Sequence, residues 1–328
     1  IFDNELSPGQ QRNWEETSKA LVIDRHEVII DVFAERAQTK EASLQVRVAR
    51  LEYSLPRLRR AWTHLGRQRG GGVTQRGEGE AQIELDQRML RDKIASTKRE
   101  IAQVSVRRST SRKKRQRIPL RTLAIVGYTN AGKSTLFNSL TGNNVYVQDQ
   151  LFATLDTTVR KLKLNKTHQV LISDTVGFIR KLPHNLVASF RSTLKELLEA
   201  NLILIVLDAS SSLIDEHLNT IKIVLSDLGA NDIPKSIVMN KIDQVNQEQD
   251  LKRLKSKFLD AIFISALHHL KLDDIRLHII DKIESDFEIF DITIPYQKGK
   301  TISQLQNKVE ILESIYGDEE IFLKVKGK

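Results

Sequence analysis

The residues Gly127-Tyr128-Thr129-Asn130-Ala131-Gly132-Lys133-Ser134 have the types and spacing of a loop that wraps phosphates. Glycines let backbone N–H groups turn inward on phosphate oxygens, Lys133 brings positive charge to the β and γ phosphates, and the Ser134 hydroxyl offers an oxygen to Mg2+. The loop follows an apolar run at 123–126 and opens an amphipathic helix, whose N-terminal dipole adds to the pull on an anion. Asn130, Ala131, Gly132 and Thr135 are therefore expected along the phosphates beside Lys133 and Ser134.

Three further motifs follow in a workable order. Asp174-Thr175-Val176-Gly177 closes an apolar run, where Asp174 can hold Mg2+ through water and the Gly177 N–H can reach a γ-phosphate. Asn240-Lys241-Ile242-Asp243 follows the run 237–239, and a carboxylate at Asp243 accepts from N1 and N2 of guanine, a pairing adenine cannot offer. Ser265-Ala266 follows 261–264, where a backbone N–H would meet guanine O6. Between the first and second motifs lies the polar–apolar segment 151–158, in which one of Thr154, Thr157 and Thr158 should meet Mg2+ and the γ-phosphate. Each short motif is weak alone; their succession, each where a strand meets a loop, points to a GTP-binding, GTP-hydrolysing P-loop protein.

The elements that must position these residues are legible as apolar runs at 123–126, 170–172, 202–207, 237–239 and 261–264 alternating with helical segments. That pattern predicts a mostly parallel sheet with helices on both faces, an α/β domain over 118–285. Upstream, 1–36 reads as the tail of an α/β unit, with strand-like 21–23 and an N-cap at Asp24, and is expected to be truncated because the chain opens Ile1-Phe2-Asp3 without an initiator Met. A heptad pattern at Leu44, Val48, Leu51, Leu55, Leu58, Trp62 and Leu65 is followed by a second at Ile83, Leu90, Ile94, Ile101 and Val104. The intervening Gly70-Gly71-Gly72 and Gly77-Glu78-Gly79 predict the tip of a long antiparallel helical hairpin, each helix roughly 45 Å long, in the segment 37–117. Its last stretch, 107–117, holds seven basic side chains and no acid and reads as a basic linker. Residues 286–328 suggest a small βαβ domain, with strands at 289–294 and 321–325 and a helix at 302–315.

Charge sharpens the reading. Residues 37–120 carry 21 Lys and Arg against 8 Asp and Glu, whereas 121–328 carry 26 of each, so the basic excess lies on the hairpin and linker and suits a polyanion such as RNA. Arg57, Arg59, Arg60, Arg67, Arg69 and Arg76 near the tip would repel a symmetry mate, which favours an RNA-facing arm over a dimer zipper and a monomer off its partner. With no cysteine there is no disulfide, thiolate zinc site or thiol catalysis, in keeping with a reducing, cytoplasmic setting. The longest purely apolar run, 202–207, is far short of the ~20 residues of a membrane span.

Several segments together resemble the HflX family of translational GTPases: the loop GYTNAGKST at 127–135, LFATLDTTVR at 151–160, DTVGFIRKLPHNLVASFRSTL at 174–194, and upstream NELSPGQQRN, QVRVARLEYSLPRL and RGEGE. The resemblance covers nearly the whole chain. It implies a nucleotide-binding-like N-terminal subdomain, a helical arm, a GTPase domain and a small C-terminal domain, in a protein that binds the large (50S) ribosomal subunit and its rRNA and splits stalled or idle 70S ribosomes. It selects Thr154 as the threonine on Mg2+ and the γ-phosphate, and assigns Lys133, Thr154 and Gly177 to catalysis, with Ser134, Thr154 and Asp174 at the metal. Similarity to potassium-dependent relatives makes Asn130 a candidate K+ ligand. The residue after the Asp-x-x-Gly motif, a water-orienting Gln in many GTPases, is Phe178, so slow intrinsic hydrolysis completed by the ribosome is expected. Leu267-His268-His269-Leu270 replaces a glycine-containing turn after Ser265-Ala266, and the two histidines read as loop surface rather than a metal site; His184 reads as packing or capping the second switch.

Overall fold

The computed structural model describes residues 1–58, 74–116, 120–142, 158–165, 168–175, 177–179, 197–245, 247–284, 288–295, 309–317 and 319–327. The heptad residues Trp62 and Leu65, the Gly70–Gly72 stretch, the switch threonines Thr154 and Thr157, Val176 and His184 lie outside them.

The N-terminal helices begin where short polar side chains can cap them. Helix α1 (Pro8–Ser18) opens on a capping box in which Ser7 accepts from the Gln10 N–H and Gln10 accepts from the Ser7 N–H. Asp24 caps α2 (Arg25–Arg36) and Thr39 caps α3 (Lys40–Ser54). The strand expected at 21–23 is reduced to a single parallel bridge between Phe2 and Asp24, with the Phe2 N–H on the Ile23 carbonyl at 2.9 Å.

Asp24 is fully buried and is satisfied from several sides: by the Glu27 and Leu6 N–H groups, the Tyr53 hydroxyl at 3.0 Å and the Arg57 guanidinium at 3.3 Å. Arg57 also stacks on the Tyr53 ring, 3.6 Å from its centroid, and donates to the Leu6 carbonyl, so the end of α3 is fastened to the start of the chain. Burial at this junction pushes the Tyr53 phenol well above its ordinary pKa.

Helix α3 gives way to a single 3-10 turn at Leu55–Arg57, which carries the proline of the run, and packs along α4 (Thr74–Gln116). At 1.5 Å per residue the 43 residues of α4 span about 65 Å. It exceeds the expected helix at both ends: Gly77-Glu78-Gly79 lies within the helix rather than at a tip, and 107–116 continues it rather than forming a linker. The ladder of backbone hydrogen bonds from each N–H to the carbonyl four residues earlier outweighs the glycines' helix penalty of about 1 kcal/mol each when neighbouring turns are already formed.

The central sheet has the order β2-β3-β1-β4-β5-β6, with β1 (Thr122–Gly127), β3 (Gln169–Asp174), β4 (Leu202–Asp208), β5 (Lys235–Asn240) and β6 (Ile262–Phe263) parallel. Strand β2 (Thr158–Lys163) runs antiparallel to β3 at the edge and carries no apolar run that would have marked it in the sequence. In β4 the residues alternate between two cores. Leu202, Leu204 and Val206 meet α5 (Lys133–Thr141) and α8 (Leu272–Glu284), while Ile203, Ile205 and Leu207 meet α6 (Ile214–Asp227) and α7 (Glu248–Lys257). A continuous apolar run is therefore what a strand covered on both faces requires.

The C-terminal unit is an antiparallel sheet, β7-β9-β8, of β7 (Glu288–Pro295), β8 (Glu310–Tyr316) and β9 (Glu320–Gly327). The helix expected at 302–315 is strand over its last six residues. Ile311 and Ile315 sit four apart as on a helix face, but pairing with β9 and a bulge between Ile311 and Glu313 place them in the sheet, with Ile294, Ile321, Leu323 and Val325 forming its core. Among the described residues no helix is long and apolar enough to cross a membrane.

Candidate guanine-nucleotide site

The loops leaving the C-terminal ends of β1, β3, β5 and β6 converge on one edge of the sheet, the position at which parallel α/β sheets bind ligands. The loop after β1 turns through Asn130 (φ 61°) and Gly132 (φ 87°) before α5 begins at Lys133. A Cβ at Gly132 would collide with the Asn240 side-chain amide as well as strain the backbone, so only glycine fits. Lys133 is buried, and its ammonium folds back onto the Tyr128 carbonyl at 2.9 Å. Burial lowers its pKa from 10.5 to about 8, with the Asp174 carboxylate opposing the shift.

Asp174 ends β3 opposite Ile125 of β1, and its Oδ2 accepts from the Ser134 hydroxyl at 2.7 Å. Two hard oxygen donors thus sit side by side at the entrance to α5, a donor set suited to a small divalent cation. The adjacent Thr175 is buried, its hydroxyl on the Ile125 carbonyl at 2.6 Å. Gly177 lies against the loop: a Cβ there would stand 2.9 Å from the Lys133 ammonium and 3.1 Å from the Thr129 Cα.

Phe178 continues the contact through its backbone, donating to the Gly127 carbonyl (3.0 Å) and accepting from the Thr129 N–H (2.8 Å). Its side chain is buried in the core on the α6 and α7 face of the sheet, which also holds Ala124, Val126, Leu197 and Ile203. Ile179, the next residue, packs instead against the core of α2 and α3 formed by Ile29, Ile30, Phe33, Ala42, Val46, Ala49 and Tyr53. Two consecutive residues therefore meet different cores, Phe178 that of the sheet and Ile179 that of α2 and α3.

Asn240 ends β5 and is buried; its amide donates to the Ala131 carbonyl (2.9 Å), while its oxygen accepts from the Ala266 N–H (2.9 Å). It ties the phosphate loop to the last motif, and Ser139 of α5 adds a bond to the Ala266 carbonyl at 2.8 Å. Lys241 follows in the left-handed region (φ 63°) with its ammonium 2.9 Å from Asp208, and Asp243 sits in a one-turn 3-10 helix, Ile242–Gln244. Ser265 is buried and closes the loop 265–270 through paired backbone bonds with Leu270. His268 reaches over that loop to Asp243, 3.6 Å away, while no group of three metal-ligating side chains occurs among the described residues.

The sequence-predicted residues Asn130, Ala131, Gly132, Lys133, Ser134, Thr135, Asp174, Gly177, Asn240, Lys241, Asp243, Ser265 and Ala266 thus stand on this one edge or on the helix that opens from it; Thr154 lies outside the described residues. Sequence reasoning missed Ser139, Ile179, Asp208 and the stacking of Tyr128 on His217, whose rings lie 3.9 Å apart and 17° from parallel. Asp208 alone had a sequence signal, since it ends its strand as Asn240 ends the next.

A phosphate-wrapping loop at the mouth of a parallel sheet, a Ser–Asp oxygen pair and an Asn-Lys-x-Asp loop on the same edge define a guanine-nucleotide-binding P-loop GTPase. Family models match in succession: GTP-binding GTPase N-terminal over 1–34, GTP-binding GTPase middle region over 36–115, and 50S ribosome-binding GTPase over 122–241. The chain is 42% identical to GTPase HflX of Spirochaeta thermophila, covering 99% of this chain and 79% of that protein, and 39% identical to GTPase HflX of Escherichia coli, covering 98% and 75%. It belongs to the HflX family of GTPases and is a GTP hydrolase. Among solved structures it is similar to a GTP-binding protein from Sulfolobus solfataricus in complex with GDP, with TM-score 0.50 and 25% identity over 85% of this chain and 78% of that one.

Proposed function

We propose that this GTPase engages the large ribosomal subunit and uses its GTP state to split or recycle stalled and idle 70S ribosomes in the cytoplasm, acting as a monomer when off the ribosome. The observation that carries the reading is the Phe178–Ile179 step, which joins the γ-phosphate end of the nucleotide site to the base of a long arm whose segment is strongly basic. Rearrangement around Gly177 on GTP binding or hydrolysis is transmitted through Ile179 to α2 and α3, and the arm's Lys and Arg side chains meet rRNA phosphates.

Within the site, Lys133 meets the β and γ phosphates, the Gly177 N–H reaches the γ-phosphate, and the Asn130–Thr135 backbone cradles the rest. Asp243 accepts from guanine N1 and N2, a backbone N–H of the loop that begins at Ser265-Ala266 meets O6, and Asn240 and Lys241 hold the base loop in place. Ser134, Asp174 and Thr154 would hold Mg2+, which supplies charge neutralisation across the phosphates. Asn130 would add a K+ ligand. With Phe178 turned into the core, no side chain at that position orients water, so the ribosome supplies the ordering that speeds hydrolysis.

The test is GTP turnover with and without purified 50S subunits and 70S ribosomes, in KCl and then NaCl, with splitting followed in parallel. Strong stimulation, with splitting that tolerates a non-hydrolysable GTP analogue, supports the reading. Equal turnover and no splitting would transfer the protein to ribosome assembly or RNA modification.

A further inference from the structure

We propose that Asp208 is a positioning residue for the guanine site: it holds the Lys241 side chain and the left-handed turn from which Asp243 is presented. The proposal rests on the reading of Lys241 and Asp243 as guanine-site residues. Asp208 is the last residue of β4 and lies in register with Asn240, the last residue of β5; the Ala209 N–H bonds the Asn240 carbonyl at 2.8 Å, so the two strand ends are locked together. The carboxylate is itself fixed: Oδ1 accepts from the Ser210 N–H at 2.9 Å and the Ser210 hydroxyl at 2.6 Å. That leaves Oδ2 for the Lys241 ammonium, 2.9 Å away, in a pair whose side chains are only 19% and 20% exposed. Ser210 also stands 3.4 Å from the Gln244 side chain, on the same short turn as Asp243.

Free lysine side chains sample many rotamers, and a non-glycine residue at φ 63° is in a sparsely populated conformation. The ion pair counters both. It holds the ammonium at the end of β4, restrains the side chain and keeps the backbone turned so that Ile242–Gln244 follows as a 3-10 turn. A guanine base then meets a Lys241 side chain and an Asp243 turn that are already ordered instead of ones that must be ordered on binding. Because the effect acts at the base, it weighs equally on GTP and GDP.

The test uses the full chain and fluorescent GDP and non-hydrolysable GTP. Asp208→Asn keeps the Oδ1 acceptor for Ser210 and removes only the charge facing Lys241. It is expected to weaken both nucleotides about tenfold and by the same factor, with the loss in turnover falling on KM. Lys241→Met should bind similarly weakly, and the double variant no more weakly than Lys241→Met alone, since the two act as one unit. Ser210→Ala, which loosens the carboxylate without touching its charge, should cost about two- to threefold and serves if Asp208→Asn folds poorly. Parent-like binding by Asp208→Asn with Ser210→Ala also silent, or losses that multiply in the double variant, overturns the proposal. Parent-like binding by Lys241→Met would overturn the reading of the guanine site beneath it.

Discussion

Lys133 predicts a measurable linkage between nucleotide binding and protons. Burial brings its pKa to about 8 without ligand, whereas the phosphates of a bound nucleotide favour the ammonium and return it to or above its ordinary range. Below pH 8 the lysine is charged both free and bound, so affinity is insensitive to its titration. Above pH 8 the free site is neutral and the bound site charged, so binding takes up a proton and affinity falls as pH rises. At pH 9 about nine-tenths of free sites lack the proton, which gives a loss of about tenfold in affinity between pH 7 and pH 9, or ~1.4 kcal/mol. The assay is GDP affinity across that range, with calorimetry in buffers of different ionisation enthalpy to count the proton. Guanine N1 also titrates in alkali, so Lys133→Arg is the reference: it shares the base's titration but keeps its cation throughout. A pH profile identical in the two proteins, with no buffer-dependent heat near pH 8.5, would mean that Lys133 takes up no proton on binding.

Three further outcomes follow from the packing. Phe178→Gln will not speed GTP hydrolysis, because the position faces the core; it should instead cost about 3–4 kcal/mol and lower Tm in a thermal melt, and faster turnover would show the residue can reach the phosphates. Ile179→Ala should cost about 1–2 kcal/mol as a half-buried truncation and should narrow the difference in 50S affinity between GTP- and GDP-bound protein several-fold, measured by co-sedimentation; an unchanged difference would disconnect this residue from the arm. Asn240→Ala strips partners from both the Ala131 carbonyl and the Ala266 N–H, so GDP affinity and folding stability should each fall by about 2–4 kcal/mol, the latter read as a lower Tm, whereas a loss of affinity at constant Tm would mean these bonds form only with nucleotide.

The motifs that the fold gathers on one edge of the sheet were legible because each is local. Gly132 and Lys133 stand within a few residues of Ser134, and Asn240 and Asp243 on one short loop, so chain order alone carries the motif pattern. The parallel strands were legible for a related reason: burial on both faces leaves no polar alternation, and 202–207 can be little else. Elements whose state depends on partners distant in sequence were misjudged. Ile311 and Ile315 have helical spacing but are paired with β9; β2 is a strand because β3 lies beside it; and 107–116 is helical as the continuation of α4. Which core a side chain enters and which groups it meets came from the folded arrangement alone. Phe178 enters the sheet core and Ile179 the helical one, Asp24 is buried by groups from the chain start and the arm base, and Asp208 faces Lys241 because β4 and β5 are in register. Such contacts join residues tens of positions apart, and a single sequence holds no periodicity or motif that records them.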